Sequence, residues 1–249
     1  MTTLRMYTKT IMTRCVLSLL AAALAVPVWA GQFSVTPVRI FVAPRDRAAA
    51  VTVTNESNDP LVMQADVYVW SQKPNGEDVL TPSDDLFLSP PILKLAPNAR
   101  QVVRLALLHP PKSGRQLTYR MIVREIPEAT EAKKSVELRI ALAFSLPIFI
   151  TPPGARSALA CTVERAAANM VRAVCQNGGT AYVQPRDFTL TAADGTKLAG
   201  RDSGGYILPD ITRQFEMKRS EGNIPAGKAR LAVTLDDGST STFDVTLAE

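Results

Sequence analysis

Few side chains in this sequence could carry covalent chemistry. His109 is the only histidine and sits in a turn just before Pro110 and Pro111. A histidine-based triad therefore has one candidate base, and a multi-histidine metal site has no ligand set. Asp84 and Asp85 form a carboxylate pair, but they open an extended segment and read as a solvated turn. The glycine pairs at 178–179 and 204–205 read as turns, not as phosphate cradles. No nucleophile elbow, zinc-protease helix motif or dinucleotide fingerprint occurs. The expectation is a protein that is not an enzyme and carries neither metal nor cofactor.

Recognition chemistry is better represented. Val136, Leu138, Ile140, Leu142, Phe144, Leu146 and Ile148 place a large apolar residue at every second position of residues 136–149. Alternate side chains of a strand share a face, so all seven line one side. The other side carries Glu137, Arg139, Ala141, Ala143 and Ser145. A helix would scatter the large residues around its axis, so the period of two decides for a strand. Strands usually run about 5–6 residues. This one is too long for one small sandwich to cover, and some of its apolar teeth are expected to face another molecule.

The elements that must position this stretch are also β. Arg5, Lys9 and Arg14 precede an apolar run of about 11 residues and a small-residue site ending at Ala30, the pattern of a secretory signal rather than a membrane span. Residues 1–30 are therefore read as a cleaved signal, and the mature chain as exported and soluble, without membrane insertion. The full chain has 28 basic and 23 acidic residues. Three basic residues leave with the signal, so the remaining 25 against 23 give a net +2 and no argument for nucleic-acid binding. Cys161 and Cys175 remain as an even pair in an exported chain, where a disulfide is expected; a free thiol pair or half a metal site is the competing reading.

Residues 33–42 read as a first strand, with Pro37 suited to an edge. Strands follow at 50–54, 61–71, 101–108 and 117–126, and residues 84–95 are extended around Pro90 and Pro91. About seven strands with turn signals every 8–12 residues match an immunoglobulin-like sandwich. Thr151, Pro152, Pro153 and Gly154 make a short hinge, and strands at 158–164, 170–176, 181–183, 188–191, 214–217, 229–235 and 242–247 form a second β module. The fold class is all-β: two immunoglobulin-like β-sandwich domains, 31–151 and 152–249, joined by a short Pro/Gly hinge.

Four stretches of the first module resemble the periplasmic chaperones of the chaperone–usher pilus pathway. They are residues 34–39 (Ser-Val-Thr-Pro-Val-Arg), 89–97 with 102–105, 119–127 (Tyr-Arg-Met-Ile-Val-Arg-Glu-Ile-Pro) and 138–142 (Leu-Arg-Ile-Ala-Leu). Residues 145–149 (Ser-Leu-Pro-Ile-Phe) resemble the archaic, or σ-type, branch. The resemblance implies a periplasmic protein whose long strand completes pilus subunits that lack their own last strand, a form of β-strand addition. Leu138, Ile140 and Leu142 match the donating positions, with Val136 and Phe144 as extensions. Burying five such side chains contributes roughly 8–15 kcal/mol gross, much of it offset by the cost of association.

The resemblance further implies an arginine and a lysine that hold the subunit's terminal carboxylate in the cleft between modules. Arg39 matches the arginine, on the face of Val35, Pro37 and Phe41, whereas the lysine position is Pro147 and calls for another base such as Arg120 or Arg124. Implied partners are pilus subunits and an outer-membrane usher, and the same edge leaves self-association open in the unloaded protein. The alternative is a two-domain immunoglobulin-like surface adhesin or pilus structural subunit. Such a subunit needs a donor arm near its mature N-terminus, and Gly31 and Gln32 lead almost directly into the first strand.

Overall fold

The computed structural model describes residues 33–43, 46, 48–108, 114–126 and 141–248. The segment read as a signal, His109 and the expected donor positions Val136, Leu138 and Ile140 lie outside the described residues. The described chain is all β, in 17 strands. No helix among the described residues is long and apolar enough to cross a membrane.

Ten strands build the first sandwich: β1 (Phe33–Thr36), β2 (Ile40–Val42), β3 (Ala48–Asn55), β4 (Leu61–Gln72), β5 (Asp78–Pro82), β6 (Leu86–Ser89), β7 (Ile92–Leu95), β8 (Arg100–Leu107), β9 (Leu117–Glu125) and β10 (Ala143–Ile150). One sheet has the order β1-β3-β8-β6, and the other β2-β10-β9-β4-β5 with β7 also on β4. Inward residues at alternate positions meet between them, among them Val51 and Val53, Met63 and Ala65, Val103 and Leu105, Met121 and Val123, and Ile148 and Ile150. That is the burial expected of antiparallel strands with one face in a core.

Two segments, one read as a single strand and the other as extended but interrupted at Pro90 and Pro91, are divided between the sheets. Residues 33–42 split into β1 on one sheet and β2 on the other, and the segment around Pro90 and Pro91 splits into β6 and β7 in the same way. Pro37 and Pro90–Pro91 mark the two crossings, where a residue without an N–H costs the ladders nothing. The first crossing also corrects the face of Arg39. Val35 and Ile40 both point into the core, so alternation breaks between them, leaving Val38 and Phe41 exposed.

Seven strands build the second sandwich: β11 (Leu159–Ala167), β12 (Met170–Asn177), β13 (Pro185–Ala192), β14 (Lys197–Arg201), β15 (Thr212–Lys218), β16 (Gly227–Leu235) and β17 (Thr240–Leu247). They run in the order β11-β12-β15-β14-β13-β16-β17. A single pair, Gly200 opposite Lys218, joins β14 to β15. The two halves fold across this link, and Phe188 of β13 meets Phe215 of β15 with ring centroids 4.7 Å apart. Residues 181–183 are not a strand; only Val183 bridges to Ile207. β14 is an addition to the strands that the sequence pattern predicts.

Cys161 and Cys175 form a disulfide. They are directly opposite each other on β11 and β12, with Cα atoms 4.1 Å apart, which removes the thiol-pair and metal readings. The bond closes a loop of 14 residues in sequence, for which chain entropy gives about 3 kcal/mol. Replacing both cysteines by alanine is therefore expected to lower the stability of the second sandwich by about 2–4 kcal/mol. Urea unfolding followed by a probe in each sandwich checks this, and an unchanged midpoint for the second sandwich would contradict it.

Candidate functional site

The apolar face of β10 changes character along its length. Ile150 and Ile148 are fully buried and Leu146 is 2% exposed, whereas Phe144 and Leu142, on the same face, are each 37% exposed. The first core thus ends at Phe144, whose ring meets Phe33 edge-on with centroids 4.9 Å apart. Leu142 precedes the strand: Ala141 and Leu142 are not assigned to a strand, and β10 runs from Ala143 within the described residues, while the expected start at Val136 lies outside them. The register with β9 nonetheless extends to Leu142, because Glu125 N–H donates to the Leu142 carbonyl at 3.0 Å.

That bond also fixes which edge of β10 is open. Neighbouring residues of an antiparallel strand send their backbone groups to opposite edges. Leu142, Phe144 and Leu146 therefore bond toward β9, while Ala143, Ser145 and Pro147 turn toward the far edge. There β2 pairs only with Ile148, Phe149 and Ile150. Among the described residues no strand pairs with β10 at 143–147 on that side. Pro147, which has no N–H, occupies an edge-facing position. A row of free backbone groups beside half-exposed apolar side chains is a template for another strand.

At its other end β10 is buried on both faces, Leu146 through Ile150 without interruption. One face is covered by the first core and the other by the second sandwich. Phe149 stacks on Tyr182 at 4.1 Å and lies 5.6 Å from Tyr206 and 6.0 Å from Trp70. Two buried amides tie the sandwiches together. Gln72 donates to the Tyr206 carbonyl at 3.1 Å and accepts from Leu208 N–H at 3.0 Å. Gln116 accepts from Tyr182 N–H at 2.9 Å and donates to the Thr151 hydroxyl at 2.7 Å.

Arg39 lies in this junction. Its Nη1 donates to Asp236 Oδ2 at 2.5 Å and to the Tyr182 hydroxyl at 3.4 Å, and that hydroxyl donates to the same Oδ2 at 3.1 Å. Burial and the nearby Asp236 push the Tyr182 hydroxyl up to about 12, so it stays protonated and able to donate at neutral pH. Burial opposes the charge on Arg39, but Tyr206, Asp236 and Tyr182 outweigh it and hold the group above its ordinary value.

Arg120 is directly opposite Pro147 in the β9–β10 register. Its guanidinium lies 3.7 Å over the Trp70 ring and 5.6 Å from Tyr206, with Asp78 at 3.7 Å. Burial lowers its pKa, against the field of Asp78. Arg39 is 5.7 Å from the same Tyr206 ring. Arg124 is four residues further along β9, about 13 Å away, and is paired with Asp66 at 2.7 Å. Of the two bases expected to replace the missing lysine, Arg120 is the one in the junction. Asp85, one of the sequence's paired carboxylates, accepts a hydrogen bond from Tyr119 at 3.0 Å and is structural.

The candidate residues thus occupy three places: Leu142 and Phe144 at the open end of β10, Arg39 at the junction, and the cysteines within the second sandwich. Sequence pattern alone misses Trp70, Gln72, Gln116, Tyr182, Tyr206 and Asp236. Gln72 falls in phase with Gln64 and Asp66 on its strand, so its burial at the junction leaves no mark in the spacing.

The fold is thus two β-sandwiches, with β10 left unpaired along one edge at 143–147 among the described residues. Residues 32–156 match the model for the pili and flagellar-assembly chaperones, PapD N-terminal domain, and the chain belongs to that family of pilus-assembly chaperones. This sets aside the adhesin or structural-subunit alternative. No curated protein matches the chain. Among solved structures, it is similar to a chain of the CsuC–CsuE chaperone–tip adhesion subunit pre-assembly complex from the archaic Csu pili of Acinetobacter baumannii, with TM-score 0.61 and 19% identity, covering 88% of this chain and 100% of that one. The E. coli chaperone DraB is similar with TM-score 0.55 and 20% identity, over 89% and 97%. The SafA pilin–SafB chaperone complex of Salmonella enterica gives 0.57 and 15%, over 89% and 99%. At these identities the likeness is one of fold.

Proposed function

We propose that the protein stabilises secreted pilus subunits in the periplasm by lending them the apolar run that ends in β10, and then delivers them to an outer-membrane usher. The observation that carries this reading is the change along one face of β10, from fully buried at Ile148 to half-exposed at Phe144 and Leu142, beside an unpaired edge. Val136, Leu138 and Ile140 continue that alternation in sequence. Backbone pairing supplies the register and the alternate side chains enter the subunit's groove. Exchange of one donated strand for a better-fitting one drives release, so the protein needs no enzymatic step. Residues 1–30 serve as the export signal, 31–151 as the subunit-binding domain and 152–249 as the second domain. The Ser-Leu-Pro-Ile-Phe stretch at 145–149 and the likeness to the Csu complex support the archaic branch. Co-expression with a neighbouring secreted pilus subunit should give a one-to-one complex, and failure to recover any such complex would overturn the reading.

Arg39 and Arg120 form the cationic end of the same site and hold the subunit's terminal carboxylate, with Arg120 standing in for the base absent at Pro147. Charge-assisted bonds of this kind contribute about 1.5–3 kcal/mol. Arg39→Ala is therefore expected to weaken subunit capture by about tenfold or more, with a smaller loss in the chaperone's own melting temperature. Capture yield and thermal unfolding measured on the same variant separate the two. A fall in melting temperature without a loss of capture would mark Arg39 as a packing residue only.

A further inference from the structure

Resting on the reading of Arg39 as the residue that takes the subunit's carboxylate, we propose that Asp236 is a built-in competitor for that site. Arg39 already binds a carboxylate at the junction, and this carboxylate is supplied by the protein's own second sandwich. Asp236 follows the end of β16 in the short turn to β17, and its backbone N–H is fixed to the Gln184 carbonyl at 3.0 Å. That anchorage delivers the side chain across the junction to Arg39 of the first sandwich, 197 residues away in sequence.

Three features make the contact a competitor rather than a simple strut. The pair is not sealed from water: the Arg39 and Asp236 side chains keep 28% and 15% of their exposure. Both hydrogen bonds of Arg39 leave from Nη1, so the remaining donors of its planar fork have no hydrogen-bond partner among the described residues. The charges acting on the neighbouring Tyr206 are more positive than negative, with Arg39, Arg120 and Arg186 against Asp236. An incoming carboxylate is therefore attracted to the cluster, but at Arg39 it meets the charge of Asp236. It must displace that side chain or bind against its repulsion, and either way Asp236 lowers the affinity. Linkage makes the effect reciprocal: whatever carboxylate occupies Arg39 loosens this contact between the sandwiches. Tyr182, which donates to Asp236, holds the competitor in place.

The sign of the effect provides the test. Sodium acetate is titrated against sodium chloride at constant ionic strength, following the Arg39 side-chain N–H signal by NMR in the wild type, D236N and Y182F, with acetate binding to R39A followed through the signals of its neighbours. The proposal expects D236N to bind acetate about fivefold more tightly, Y182F to shift in the same direction by less, and R39A to abolish the effect. If R39A abolishes binding while D236N leaves it unchanged or weakens it, Asp236 is a strut, the competitor proposal falls, and the carboxylate reading of Arg39 survives. If R39A leaves acetate binding intact, that reading fails and the proposal fails with it. Y182F keeps the carboxylate and removes only a hydroxyl, so it decides the sign should D236N not fold.

Discussion

Ile140→Asp is expected to yield a folded, soluble chaperone that no longer captures its subunit, and Leu142→Asp is expected to do the same. The loss has two parts. An apolar side chain buried in a partner's groove contributes about 1.5–3 kcal/mol, and placing an unpaired carboxylate there costs several kcal/mol more. Together they predict a loss of more than about 100-fold in affinity. The chaperone itself is spared because its own core ends at Phe144; Leu142 already sits at the exposed margin. Recovery of the co-expressed subunit, together with the melting temperature of the free chaperone, measures both. Ala141→Asp, one position along on the alternate face, is the control and should keep capture within about threefold. Normal yield with either aspartate on the apolar face removes strand donation through this site. A loss as large with Ala141→Asp would mean that charge anywhere on the segment, rather than the face, is what matters.

The period of two makes this face legible from the sequence alone, because a strand's geometry turns spacing directly into direction. The same rule misleads at residues 33–42. Reading the stretch as one strand ignores a shift of phase, from apolar residues at 33 and 35 to apolar residues at 38, 40 and 42, and there the chain leaves one sheet and enters the other, with Val38 left exposed. Pro37, whose type suits an edge, instead marks a crossing. β14 is hidden because Lys197–Arg201 is five residues long and includes Gly200, leaving too few positions for a pattern. The disulfide is readable since, with Cys15 in the stretch read as a signal, the other two cysteines allow only one pairing. The junction is hardly readable at all. Gln72, Arg120, Tyr182, Tyr206 and Asp236 are brought together by the packing of one sandwich on another, and no local spacing encodes that. Only the chain's resemblance to pilus chaperones points to Arg39, and it gives no hint that Asp236 is its partner.

The junction supplies the second large effect. Phe149→Ala is expected to uncouple the two sandwiches. The ring is fully buried, but it faces away from the first core: it stacks on Phe41 at 5.6 Å and on Tyr182 at 4.1 Å, with Trp70 and Tyr206 completing the cluster. Removing a buried phenylalanine costs about 3–5 kcal/mol. Each sandwich keeps its own core, one around Val51, Met121 and Ile148 and the other around Phe188, Phe215 and Leu231. The cost therefore falls on the contact between them. Calorimetry should resolve two unfolding transitions in the variant, in place of the single one expected of the coupled wild type. Ile148→Ala, one residue earlier and pointing into the first core, should instead lower the unfolding of the first sandwich by about 2–5 kcal/mol while leaving the sandwiches coupled. A single transition at unchanged temperature in Phe149→Ala would show that the amides Gln72 and Gln116 hold the junction without the rings. A single transition lowered as in Ile148→Ala would place Phe149 energetically within the first core. Two transitions accompanied by weaker capture of the subunit would tie the junction to function, because Phe149 fixes one end of the strand whose other end is the proposed donor.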